Sequence, residues 1–251
     1  MSDMEMMVRG VPLRVRADGS GPELLWAHGM LSSVAAEARL WDGVSGCRLL
    51  RYDARGHGGS GACATPHGAR WDSLAHDMLG VADALGLDGW CAGGVSMGAA
   101  TALCAALARP RAVTRLVLMG LPALWEARQA PARQYARIAA AGPALQARLL
   151  ASTAASPLAP RDAAKAFDLA TLYGGAAASD LPPPHALAAI AHIPALILAW
   201  EGDPAHPLAS ALALQRLLPA SQLQLLPNHV DLATVREAIV AFATLRASGT
   251  P

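Results

Sequence analysis

The chain has 251 residues, of which 53% are hydrophobic and 16% charged, and its formal net charge is +1. A chain of this length is often one α/β domain. The near-zero charge excludes the basic face that a nucleic-acid backbone requires, and no stretch reaches the roughly 18 consecutive apolar residues of a membrane span. We therefore expect one core, with neither a nucleic-acid nor a membrane partner.

The N-terminus and the cysteines bear on location and on metal chemistry. Residues 1–7 read MSDMEMM and lack the basic and apolar regions of a secretory signal, so we expect a cytoplasmic protein. The four cysteines are widely spaced, with no CxxC pair, which favours neither a zinc site nor a disulfide framework. We expect no metal and no cofactor.

Short apolar runs alternate with longer helical stretches along most of the chain, which is typical of a mostly parallel sheet flanked by helices. Residues 5–8 and 13–17 predict an antiparallel hairpin at the sheet edge. Further strands are predicted at residues 24–27, 47–52, 90–93, 113–119, 195–200 and 222–226, and helices at residues 74–85, 97–108, 208–218 and 232–245.

Residues 122–192 interrupt this alternation. They are rich in alanine, arginine and proline, and predict helices at 124–141, 144–154 and 161–173 with no convincing strand. We assign residues 1–121 and 193–251 to the core and residues 122–192 to a helical cap, or lid, over the site. The alternative is a helical crossover that only packs against the sheet.

The segment Gly94-Val95-Ser96-Met97-Gly98 follows a predicted strand and opens an alanine-rich helix. This is the context in which the G-x-S-x-G pattern indicates a nucleophile elbow, a sharp turn that needs small neighbours. Ser96 is therefore the predicted nucleophile. The Met97 amide at the helix N-terminus is a predicted oxyanion donor. The alternative is that Ser96 only caps the helix.

A serine nucleophile needs a base and an orienting carboxylate. His229 follows the last predicted strand and comes after the other candidates, in the chain order Ser, acid, His, so it is the predicted base. Asp203 follows strand 195–200 and is the predicted orienting acid, with Glu201 as its nearest rival. His206 lies close by and offers a different pairing.

The segment His28-Gly29-Met30 follows the strand predicted at 24–27. A loop in this place supplies the second oxyanion donor, which predicts that role for the Met30 amide. His28 is expected to hold the loop through side-chain hydrogen bonds. The alternative for the whole segment is an ordinary tight turn.

Together these motifs resemble the α/β-hydrolase superfamily, over nearly the whole chain outside residues 122–192. The resemblance implies an α/β-hydrolase fold with a small helical lid and a catalytic triad of Ser96, Asp203 and His229. It implies that Asp53 and Arg55 are scaffold. It rests on Trp26-Ala27-His28-Gly29, the stretch 52–60 (YDARGHGGS), Gly94-Val95-Ser96-Met97-Gly98, Gly202-Asp203 with Pro207, and Asn228-His229.

A serine at position 96 argues against the haloalkane dehalogenase and epoxide hydrolase relatives, which place an aspartate there. The resemblance implies a serine esterase that cleaves a small-molecule carboxylic ester or lactone through an acyl-enzyme. Gly29, Trp125 and Tyr135 are the expected substrate contacts. One alternative is a carbon-carbon hydrolase or lyase that uses the same triad, with Lys165 as an extra group. The other is a catalytically weak ligand-binding protein on the same fold.

Overall fold

A computed structural model describes residues 2–152, 161–227 and 229–245, with residues 149–152 described by their backbone alone. Eight strands form one sheet in the order β1-β2-β4-β3-β5-β6-β7-β8. Their bounds are β1 (Ser2–Val8), β2 (Val11–Gly19), β3 (Glu23–Ala27), β4 (Arg48–Tyr52), β5 (Trp90–Val95), β6 (Val113–Met119), β7 (Ala195–Trp200) and β8 (Ser221–Leu226).

The direction of the strands separates an edge hairpin from a parallel sheet. Strand β2 pairs antiparallel with β1 and with β4, whereas all other neighbours, from β4 to β8, are parallel. Strand β5 is buried along its whole length, as expected for a parallel strand covered on both faces. The structure confirms the predicted hairpin and the mostly parallel sheet flanked by helices.

Helices cover both faces of this sheet. One apolar cluster lies on the face that carries Leu25 and packs with α1, α2 and α6, and a second lies on the face of Leu24 and Trp26 and packs with α7. Helix α2 is buried almost all round, which suits its run of alanines. The helices are α1 (Trp71–Ala84), α2 (Met97–Ala108), α3 (Trp125–Ala140), α4 (Pro143–Ser152), α5 (Leu169–Ala177), α6 (Leu208–Leu217) and α7 (Leu232–Thr244).

The strand order places a topological switch point at β3 and β5. Strand β3 lies between β4 and β5, so the chain leaves β3 toward one side and later crosses to the other. At such a switch point the loops after the two central strands diverge, and open α/β sheets bind ligands there. The loops after β3 and β5 carry the predicted oxyanion segment and Ser96.

The described part of residues 122–192 contains helices α3, α4 and α5 and a 3₁₀ turn, Pro184–Ile190, and no strand. The helix predicted at 161–173 begins only at Leu169, because Asp168 caps α5 by accepting hydrogen bonds from the Thr171 amide and hydroxyl. Residues 153 and 154 of another predicted helix lie outside the described residues.

The helical insertion is fastened to the core through Arg128 of α3. This buried guanidinium donates to the carbonyls of Ala176 and Ser179 and lies 4.4 Å from the ring of Trp71, which begins α1. The Ser179 hydroxyl accepts from the Trp71 amide in turn. Burial lowers the pKa of Arg128. These contacts join α3, the end of α5 and the start of α1.

Candidate active site

Ser96 occupies a strained turn between β5 and α2. Its backbone has φ 56° and ψ −113°, outside the ordinary range for a residue with a Cβ. Its amide donates to the Met119 carbonyl at 2.9 Å, so it is tied to β6 while the chain turns into the helix. The turn places the Ser96 side chain at the carboxyl edge of the parallel strands.

The glycines on either side make this turn possible. A Cβ on Gly98 would overlap the carbonyl of Ala27 and approach the His28 oxygen to 2.9 Å. A Cβ on Gly94 would lie 2.7 Å from the Ala27 oxygen and would also strike Gly98. The first turn of α2 therefore touches the end of β3 through backbone alone, which only residues without a side chain permit.

Ser96 does not act as a side-chain cap of α2. It makes no capping hydrogen bond. Its hydroxyl instead meets Nε2 of His206 at 2.8 Å. The capping alternative considered from the sequence therefore does not describe the contact that this side chain makes.

His206 is held by Asp203 on the same loop. Its Nδ1 lies 2.8 Å from Asp203 Oδ2, and Asp203 Oδ1 accepts the amides of Ala205 and His206 at 2.8 and 3.3 Å. The acid and the base are three positions apart in the chain, so a single tight turn brings them together. The side chains of Asp203 and His206 are 12% and 10% exposed, which limits competition from water.

The hydrogen bonds fix the protonation pattern of this chain of groups. Burial raises the pKa of Asp203, but the hydrogen bonds and charge of His206 and the backbone donors outweigh it, and the net pKa lies below the ordinary value. An ionised carboxylate only accepts, so Nδ1 of His206 carries the proton. Nε2 is then the acceptor for the Ser96 hydroxyl, as a general base requires.

The ring of His206 has packing partners that set its position. The Trp200 ring lies 6.3 Å away between centroids. Gly120, after β6, comes so close that a Cβ there would lie 3.4 Å from the imidazole Cγ. Glycine at this position, with φ 58°, thus leaves room for the ring.

The structure differs here from the sequence expectation for the base. His229 is exposed on the turn after β8, and no hydrogen bond joins it to Ser96 or Asp203 among the described residues. The place of His229 after the last strand pointed to this residue, whereas the turn between Asp203 and His206 decides which ring reaches the serine. The rival acid Glu201 is also exposed.

The loop after β3 carries the Met30 amide, which the sequence predicts as the second oxyanion donor. In the part of the chain that the structure describes, neither the Met30 nor the Met97 amide has a hydrogen-bond acceptor, so both are available as donors. The Gly29 amide is not available, because it donates to Glu37 Oε1 at 3.0 Å. Gly29, expected as a substrate contact, instead has its amide and carbonyl bonded within the loop.

His28 holds this loop from the inside, as the sequence predicts. Its Nδ1 donates to the Gly29 carbonyl at 2.7 Å, and its Nε2 accepts from the Ala54 amide at 3.0 Å. Asp53, which directly precedes Ala54, accepts hydrogen bonds from the amides of Val34 and Gly59. The loops after β3 and β4 are thereby joined beneath the site.

Arg55 belongs to this scaffold and takes no part in the Ser96 contacts. It forms a two-point ion pair with the fully buried Asp77 of α1, which Arg9 also contacts. The pair offsets the cost of burying the carboxylate. Asp53 and Arg55 therefore have structural contacts of the kind that the resemblance implies.

The insertion, residues 122–192, lies against the loop after β3. The Asp162 amide donates to the Leu31 carbonyl at 2.8 Å, and the Phe167 ring lies 5.5 Å from the buried ring of His57. Burial lowers the pKa of His57 to about 3, so this histidine is neutral. Lys165 is half-buried on the same segment.

Two residues of the insertion that are expected to contact substrate are held mainly by protein groups. The Trp125 indole donates to the Pro182 carbonyl at 3.0 Å. The Tyr135 ring meets the Tyr173 ring edge-on at 5.3 Å, in an apolar cluster that also contains Leu31. Both are half-buried, and Tyr135 packs in the same cluster as Met30.

Within residues 2–152, 161–227 and 229–245, no group of three His, Cys, Asp or Glu side chains is arranged to hold a metal ion. The four cysteines are buried and unpaired, and burial raises the pKa of each thiol. No helix in these ranges is long and apolar enough to cross a membrane.

A sequence model of the alpha/beta hydrolase fold matches residues 22–192, more than half of the chain. The chain belongs to the α/β-hydrolase family. The sn-1-specific diacylglycerol lipase ABHD11 of Mus musculus is similar to this α/β-hydrolase, with 34% identity over 109 residues. The match covers 41% of this chain and 34% of the mouse protein, so it spans about a third of that relative.

Solved structures show the same fold along the length of the α/β-hydrolase chain. A thermophilic esterase from Thermogutta terrifontis aligns with a TM-score of 0.75 and 20% identity, covering 96% of this chain and 98% of that one. An enol-lactonase from Burkholderia xenovorans aligns with a TM-score of 0.72 and 22% identity, covering 95% and 97%. The α/β-hydrolase fold expected from the sequence is confirmed.

The close approach of α2 to β3 generates a prediction for stability. In Gly98→Ala the new methyl group would meet backbone atoms that cannot turn aside, and we expect the free energy of unfolding in urea to fall by about 1–3 kcal/mol or more. Gly142→Ala is the matched control, because a Cβ there meets no atom within 4 Å. Equal unfolding midpoints for the two variants would contradict the account of the turn.

Proposed function

We propose that the protein is a serine hydrolase that cleaves carboxylic esters or lactones through an acyl-enzyme. The observation that carries the proposal is the continuous chain from Ser96 Oγ to His206 Nε2 and from His206 Nδ1 to Asp203, with 2.8 Å at each link. Such a chain turns a poorly nucleophilic hydroxyl into an attacking group at neutral pH.

The reaction proposed begins with attack of Ser96 Oγ on the acyl carbon. The hydroxyl proton moves to Nε2 of His206, and the Asp203 carboxylate stabilises the imidazolium that results. The carbonyl oxygen becomes an oxyanion, which the Met30 and Met97 amides would bind. When the tetrahedral intermediate collapses, the bond to the leaving alcohol oxygen breaks, and His206 returns the proton to that oxygen.

The second half-reaction uses the same groups with water. His206 takes a proton from a water molecule, whose oxygen attacks the acyl carbon of the ester on Ser96. Collapse of the second intermediate breaks the acyl bond to Oγ, and the proton returns to the serine. The products are a carboxylic acid and an alcohol, or a hydroxy acid where the substrate is a lactone.

Three features support the proposed substrate and the proposed cap. Half-buried Met30, Tyr135 and Phe167 pack in one apolar cluster between the loop after β3 and the insertion. The contact of Asp162 with Leu31 supports a role for residues 122–192 as a cap over the site. The names of the similar proteins, a diacylglycerol lipase, an esterase and an enol-lactonase, also denote enzymes of ester and lactone bonds.

The proposal is tested by turnover of p-nitrophenyl acetate, an aliphatic lactone and an acyl thioester. We expect Ser96→Ala to lower kcat by about 1,000-fold or more, because the nucleophile is lost. Ser221→Ala is the matched control, since Ser221 begins β8 at the opposite edge of the sheet. Full ester turnover by folded Ser96→Ala would contradict the proposal.

Two further measurements, labelling with a fluorophosphonate and turnover of a diketone, separate the alternatives. Labelling of Ser96 by a fluorophosphonate without repeated ester turnover would favour a weak, single-turnover binding protein. Turnover of a vinylogous 1,5-diketone with no ester or lactone turnover would favour a carbon-carbon hydrolase. Either result would contradict ester or lactone cleavage as the function.

The identity of the base is tested separately. We propose His206, and His229, on the loop after the last strand, is the candidate that the sequence favours. His206→Ala should lower kcat for the best ester by about 1,000-fold or more, whereas His229→Ala should stay within about threefold of wild type. A large loss in His229→Ala with an active His206→Ala would assign the base to the loop after β8 instead.

A further inference from the structure

The buried carboxylate of Glu37 lies behind the loop after β3. Glu37 is only 2% exposed, and among the described residues no arginine or lysine pairs with it. Burial raises the pKa of this carboxyl, while the neighbouring His28 and the donors that face it oppose the rise. Burying such a group is costly, so the hydrogen bonds it makes define what it does here.

Each oxygen of Glu37 accepts one N–H hydrogen bond, and the Ser32 hydroxyl also faces this carboxylate. Oε1 accepts the Gly29 amide at 3.0 Å and Oε2 accepts the Trp26 indole N–H at 3.0 Å. The Trp26 side chain is buried in the core below β3, so it anchors the carboxylate to the sheet. The backbone of Glu37 is fixed as well, because its amide donates to Ser33 and its carbonyl accepts from Leu40.

The peptide group between Gly29 and Met30 is held by hydrogen bonds to its carbonyl oxygen. The Gly29 carbonyl accepts from His28 Nδ1 at 2.7 Å and from the Ser32 amide at 3.1 Å. In a trans peptide the N–H points opposite to the C=O, so holding the Gly29 oxygen inward directs the Met30 N–H outward. Glu37 fixes the peptide before this one, and the two together leave the Met30 plane little freedom to rotate.

We infer that Glu37 is a positioning residue that aims the Met30 amide at the oxyanion, a role that rests on the function proposed above. It touches no reacting atom in this account. It acts through Gly29, whose amide it keeps turned away from the substrate. Catalysis by an oxyanion hole depends on donors that are already in place before charge develops, so the effect belongs to the transition state rather than to substrate binding.

Glu37→Gln tests this inference. The substitution keeps the size of the side chain but leaves one acceptor oxygen for two N–H donors, so the Gly29 peptide must compete with Trp26. We expect kcat for an ester to fall about 10- to 100-fold with KM within about threefold. Affinity for an aryl trifluoromethyl ketone, which forms an oxyanion adduct on Ser96, should fall by the same factor as kcat.

A second variant separates positioning from general destabilisation. Trp26→Phe removes the competing indole donor, so in Trp26→Phe/Glu37→Gln the single amide oxygen can accept the Gly29 N–H. The double variant should therefore be more active than Glu37→Gln alone, although each change weakens packing. Glu23→Gln, on the same strand as Trp26 but paired with Arg48 near the surface, is the control and should match wild type.

The possible results distinguish this inference from the proposed function. A wild type that neither cleaves esters nor forms the ketone adduct contradicts both. A wild type that does both, together with a folded Glu37→Gln whose kcat is within twofold of wild type, contradicts the inference alone. So does a loss of kcat in Glu37→Gln that Trp26→Phe deepens rather than relieves.

Amide exchange in the wild type keeps the inference testable if Glu37→Gln does not fold. The Gly29 amide should be protected from hydrogen exchange in the free protein, and the Met30 amide should become protected only when the ketone adduct forms. A Gly29 amide that exchanges as fast as that of Met30 in the free, folded protein would overturn the inference.

Discussion

Backbone contact between the end of β3 and the first turn of α2 is the constraint on which the site depends. Because Gly94 and Gly98 have no side chain, the Ala27 carbonyl can lie where a Cβ on either residue would be. With the helix this close to the strand, the chain must turn sharply between β5 and α2, and Ser96 takes a backbone conformation that residues with a Cβ rarely adopt. The buried packing of α2 in the core holds that conformation in place.

The same contact bears on the positions of the two predicted oxyanion donors. Met97 begins the helix that rests on β3, and Met30 lies just beyond the end of β3. Two side chains hold the residue before Met30: His28 donates to the Gly29 carbonyl, and Glu37 accepts from the Gly29 amide. Fixed dipoles of this kind need no rearrangement when negative charge develops.

Much of the fold is readable from the sequence, because its signals are local. The six predicted parallel strands and four core helices occur within a few residues of their expected bounds, and the edge hairpin is longer than expected at both strands. The position of Ser96 after β5 follows from glycine spacing, and that of Asp203 after β7 from the strand that precedes it. Each of these features needs only a short segment to be recognised.

The remaining features depend on contacts that a linear pattern does not contain. His206 reaches Ser96 because the four-residue turn 203–206 folds it back onto Asp203, whereas the place after the last strand favoured His229. The segment 161–168 is not helical, since Asp168 starts α5 later than the alanine pattern predicts. Glu37 carries no motif, and its role becomes visible only where Gly29 and Trp26 converge on it.

The most direct measurement is a crystal structure of the protein after reaction with a fluorophosphonate. The account predicts phosphorus bonded to Ser96 Oγ, a phosphoryl oxygen about 2.7–3.1 Å from the Met30 and Met97 amide nitrogens, and the His206 ring between Ser96 and Asp203. An adduct with His229 beside Ser96, or with the phosphoryl oxygen away from both amides, would contradict it.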